Sequence, residues 1–167
     1  MYSLVAFVAE RTVFEKHFPS VQPAETVDLD HRPFALLPIT ERMESRVRIE
    51  CKIDLDQFGF TDDRYLENVR AIVARIVVSP SEATMAFIGS ELHGGTGVTF
   101  GCAFKNSELN VFRDAGDKWP DTNISMALKE IGVPEYLDRR LDAFDVLGLG
   151  RHRNTEDWLA SLREGAQ

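Results

Sequence analysis

Three groups of side chains have types and spacings that could do chemistry. The first is Arg151-His152-Arg153, which follows Gly148-Leu149-Gly150 and precedes a helix start at Asn154 or Thr155. Cationic side chains beside the free amides of a helix N-terminus suit a carboxylate, a phosphate or an acidic partner loop. The plainer reading is that Arg151 and Arg153 neutralise Asp142, Asp145, Glu156 and Asp157 nearby in sequence. Trp119, on the Trp119-Pro120-Asp121 loop, adds a ring of the kind enriched at interface hot spots, or a staple onto the following helix.

The second group is Glu91, His93 and the glycine-rich Gly94-Gly95-Thr96-Gly97. Residues two apart on a strand share a face, so Glu91 and His93 could form an acid–base pair or supply two metal ligands. The glycines Gly94 and Gly95 could converge backbone amides on an anion. Phosphate-binding loops, however, lead from a strand into a helix, whereas here strand follows strand, and a tight hairpin needs glycines for its own turn. A metal centre needs three or four ligands, and no further histidine or carboxylate stands at a ligand spacing.

The third group, Asp28, Asp30 and His31, has ligand-like side chains but lacks the calcium-loop pattern, so it reads as a solvated turn before Pro33. Cys102 sits between Phe100 and Phe104 on an apolar strand face, where desolvation raises a thiol pKa, the opposite of nucleophile activation. No Gly-x-Ser-x-Gly elbow and no Ser-x-x-Lys occurs. No catalytic residue, metal or cofactor is therefore assigned.

The elements that would position these groups follow from hydrophobic period. Leu4 to Ala9 reads as a strand, the stretch to Pro33 as turns, and Phe34 to Ile39, broken by Pro38, as an edge strand or its end. Val47, Ile49, Cys51, Ile53 and Leu55 alternate against charged residues, which predicts a strand with one solvated face. Tyr65, Leu66, Val69, Ile72, Val73 and Ile76 predict a packing helix over about 61–78, capped by Thr61. Strands follow over 84–92, 98–105 and 108–113, with Gly89 and Gly101 marking a bulge or a close backbone approach. Helices are expected from Asp121 or Thr122 to Ile131, over 136–147 with Leu137 and Leu141 inward, and from about 154 to 163. The fold class is α+β: one domain over 1–167, mainly antiparallel sheet, sheet-rich over 1–113 and helical over 121–164.

The 167 residues are 44% hydrophobic and 28% charged, an ordinary globular balance that excludes disordered and fibrous classes. A net charge of −8 opposes sequence-independent binding to nucleic acid. Two cysteines and an N-terminus without a basic region point to a reducing, cytoplasmic setting without a membrane role. These observations favour a non-enzymatic protein-binding module, an inhibitor or immunity-type protein directed at a basic enzyme or toxin. The alternatives are a small enzyme or anion sensor using Arg151, His152 and Arg153, with Glu91 and His93, and a structural homo-oligomer joined through a sheet edge.

Overall fold

The computed structural model describes residues 2–93, 96–106, 108–113 and 119–164. Its centre is a six-stranded sheet in the order β2-β3-β1-β4-β5-β6, built from β1 (Tyr2–Glu10), β2 (Val27–Asp28), β3 (Phe34–Pro38), β4 (Met85–His93), β5 (Thr96–Lys105) and β6 (Glu108–Phe112). Every pairing is antiparallel. Helices α1 (Arg11–His17), α2 (Glu41–Cys51) and α3 (Asp63–Ile76) cover one face; α4 (Asn123–Glu130), α5 (Ala143–Val146) and α6 (Thr155–Glu164) cover the other. The architecture is α+β, as the period of the sequence indicates.

Both faces of the sheet are buried, and β1 shows why its sequence runs apolar without a break. Phe7 and Ala9 enter the core beneath α1–α3, while Leu4, Ala6 and Val8 enter the core beneath α4–α6. A strand covered on both sides has no position for a polar alternate.

The predicted strand with a solvated face is absent, because residues 41–51 form α2. Thr40 accepts a hydrogen bond from the Met43 amide through its hydroxyl, and Glu41 and Glu44 occupy the first turn, where the helix dipole favours them. Met43 and Val47, one turn apart, are buried, whereas Ile49 is 78% exposed. The alternation from Val47 to Leu55 thus spans a helix end, the left-handed Lys52 and a short 3-10 turn at Leu55–Gln57.

Three further expectations are corrected. β3 is an inner strand, with β1 along one side and β2 pairing only Ala35 and Leu36 on the other, so Pro38 lies beyond β2's pairing. The helix expected over 136–147 reduces to the four residues of α5: Arg140 is left-handed, Tyr136 pairs with Leu141 in an isolated bridge, and Leu137 and Leu141 are 47% and 36% exposed. The cap of α3 is Asp62, one residue after Thr61, and its carboxylate accepts from the Arg64 amide at 2.9 Å. Among the described residues no helix is long and apolar enough to cross a membrane.

Candidate functional site

Two glycines within the strands decide how closely the helical layers approach. A Cβ on Gly101 would collide with the Asn123 carbonyl, so the first turn of α4 rests directly on β5. A Cβ on Gly89 would stand 2.7 Å from two ring carbons of Phe60, so that ring lies flat against β4 where no side chain opposes it. Gly101 is the close backbone approach that glycine within a strand indicates, whereas at Gly89 the approaching group is a side chain.

Phe60 floors a cleft of about 330 Å³ at the end of the sheet formed by the start of β1 and the β4–β5 hairpin. Phe58 and Tyr65 add aromatic walls, and Val5 and Val98 contribute from β1 and β5. Phe60 meets Tyr65 edge-on at 5.0 Å between centroids, and Tyr65 meets Phe100 edge-on at 5.4 Å, which ties the floor to the core. Two carboxylates line the same opening, Glu44 from α2 and Glu91 from β4. Outside it, the Arg64 guanidinium sits 4.1 Å over the Phe58 ring, held by Asp62.

Of the residues singled out in the sequence, the cleft takes Glu91 alone. His93 ends β4 two positions further on; its side chain, and Gly94 and Gly95 entirely, lie outside the described residues. Gly97 has a structural reason to be glycine, because a Cβ there would collide with the Glu91 carbonyl. Glu44, Phe58, Phe60 and Tyr65 escaped notice because the cleft depends on α2, whose helical start at Thr40 was the signal to read.

Arg151, His152 and Arg153 do not converge on a common point. Arg151 donates to Asp30 at 2.7 Å and lies 5.2 Å over the ring of the fully buried Trp158, against which His152 also packs edge-on at 4.7 Å. Arg153 is exposed, and its carbonyl accepts from the Ser3 amide at 2.7 Å. The Thr155 hydroxyl accepts from the Val5 amide at 3.1 Å. β3 pairs with β1 only from Ala6 onward, so this loop satisfies the edge of β1 that β3 leaves open. Arg151 is therefore neutralised by a residue 121 positions away rather than by its sequence neighbours. Trp119 is half exposed on the loop before Thr122, whose hydroxyl caps α4.

Cys102 is fully buried, and burial pushes its thiol up to about 12. Cys51 is partly buried, with its thiol also raised, first by burial and then by Glu50. Among the described residues no group of three or more histidine, cysteine or acidic side chains could hold a metal ion.

No protein-family model, no curated protein and no solved structure matches the chain.

Proposed function

We propose that the protein is a non-enzymatic, cytoplasmic binding module that takes a basic segment of a protein partner, in the manner of an inhibitor or immunity-type protein acting on a basic enzyme or toxin. The observation that carries this reading is the cleft that Glu44 and Glu91 line together with the aromatic Phe58, Phe60 and Tyr65. A lysine or arginine entering it meets the Glu91 carboxylate for its charge and rings for its aliphatic stem and cationic head. Arg64 stacked on Phe58 is an example of that packing within the chain itself. The overall charge of −8 adds long-range attraction for a basic partner, which accelerates encounter and is weakened by salt. The anion-sensor reading has less support, because Arg151 already has Asp30 as its counter-ion.

Capture from native cells by the tagged wild-type protein and by Glu44→Lys and Glu91→Lys variants tests the proposal. A stoichiometric basic protein retained by the wild type, weakened by salt and lost from both folded variants, is expected. Retention insensitive to both substitutions, or no stoichiometric basic protein at low salt, overturns it.

A further inference from the structure

On the opposite face of the sheet, at the same end, a second crevice of about 250 Å³ opens between the strands and the first turns of α4 and α5. Its most informative residue is Ser90. The α4-facing side of β4 otherwise presents the fully buried Ala86 and Ile88 and the partly buried Leu92. Ser90 lines the crevice and is 1% exposed.

The other polar walls are Thr99, Thr122 and Asp142. The Thr122 hydroxyl accepts from the Ser125 amide at 3.1 Å, which leaves its own proton to donate. Asp142, 3% exposed, accepts from the Asp145 amide at 3.0 Å through one oxygen and from the Ser125 hydroxyl at 2.8 Å through the other. Each of its oxygens keeps a second lone-pair direction. Tyr2 and Phe144, edge-to-face at 6.1 Å, form the apolar side.

The chemistry of this lining selects its ligand. Its polar side chains are all oxygen groups: hydroxyls that both donate and accept, and one carboxylate that accepts. An anion would meet Asp142. A cation would meet a carboxylate already engaged by donors from the first turns of two helices, whose positive ends oppose it. A neutral molecule carrying several hydroxyls can donate to Asp142, exchange hydrogen bonds with Ser90 and Thr122, and lay its C–H face on Tyr2 and Phe144. We infer that this crevice is a binding site for a small, neutral polyhydroxylated molecule of the monosaccharide class. It is separate from the acidic cleft, which lies across the sheet.

Titration of the full-length, ¹⁵N-labelled protein with D-glucose, D-galactose, D-mannose and D-ribose tests the inference, with n-butylammonium and butyrate as charged controls. At least one sugar should shift the amides of Ser90, Thr99, Thr122 and Phe144 saturably, with neither ion doing so. Ser90→Ala should keep the fold and weaken that sugar roughly 2- to 10-fold, the loss of one hydrogen bond. Asp142→Asn, which keeps an N-cap side chain, should weaken it further. No saturable shift with any of the sugars overturns the inference, as does a response centred on Glu44, Glu91 and Tyr65, an equal response to either ion, or unchanged affinity in Ser90→Ala.

Discussion

Phe60 occupies the space that a side chain at residue 89 would need: the ring lies against β4 at Gly89, where an added Cβ would fall 2.7 Å from its Cε1 and Cζ. The floor of the acidic cleft is thus set by the absence of one carbon in a strand. Gly89→Ala should displace the ring and cost about 1–3 kcal/mol, the usual range for overpacking a core. Urea unfolding should show a lower midpoint with an unchanged slope. Trimming the ring by Phe60→Leu in the Gly89→Ala background should cost less than it does in the wild type. Additive costs would mean that Gly89 does not serve Phe60.

Gly101 sets a harder limit, because the obstacle is the α4 backbone rather than a ring. Asn123 anchors that turn by donating from Nδ2 to the Thr99 carbonyl at 3.0 Å and to the Arg113 carbonyl at 3.3 Å. Gly101→Ala should therefore destabilise more than Gly89→Ala, at the top of the roughly 1–3 kcal/mol range or beyond. Parallel urea curves decide the order; an equal or smaller cost at Gly101 would contradict the packing described.

Trp158, rather than the arginines around it, should hold the loop before α6. The Arg151–Asp30 pair is half exposed, 43% and 50% for the two side chains, so Arg151→Ala should cost no more than about 1 kcal/mol. Trp158→Ala should cost about 3–5 kcal/mol. Inorganic phosphate should leave the Tm of the wild type unchanged. A phosphate-dependent rise that Arg151→Ala abolished would restore the anion-site reading.

The two thiols should separate cleanly. In the native protein a thiol reagent at pH 8 should label Cys51 and spare fully buried Cys102. Cys102 keeps its proton to about 12 when folded but loses it near 9 when unfolded, so its contribution is complete below 9 and is lost as pH rises through that window. The stability of the wild type should fall more steeply above pH 9 than that of Cys102→Ala.

Acid should loosen the start of α3. The Asp62 carboxyl is held down to about 2, chiefly by hydrogen bonds from the Arg64 side chain and then by the Arg64 amide. Its stabilisation is present above the ordinary value near 4 and is lost as pH falls through about 2. The advantage of the wild type over Asp62→Asn in thermal unfolding should shrink across that window; a constant difference would remove the carboxylate's charge from the explanation.

The sequence by itself determined the elements whose signals are local. The stripe from Tyr65 to Ile76, the alternation of β5 around Cys102 and the start of α4 at one of its two candidate caps, Thr122 rather than Asp121, each recur in the structure, because period and capping act over a few residues. Gly101 also announced a close backbone approach, which α4 makes, whereas at Gly89 it is the Phe60 ring that approaches. Tertiary structure alone decided the remainder. Residues 46–51 carry a strand's alternation yet coil as α2, because Thr40 caps the helix and burial of Met43 and Val47 on the sheet outweighs the pattern. The helical spacing of Leu137 and Leu141 failed because Tyr136 and Leu141 bridge across a left-handed Arg140. Glu44 and Glu91, 47 positions apart, meet at one cleft, and Arg151 finds Asp30 across 121 positions. Such pairings depend on which faces of the sheet the helices cover, and that choice is a property of the whole chain's burial rather than of any window within it.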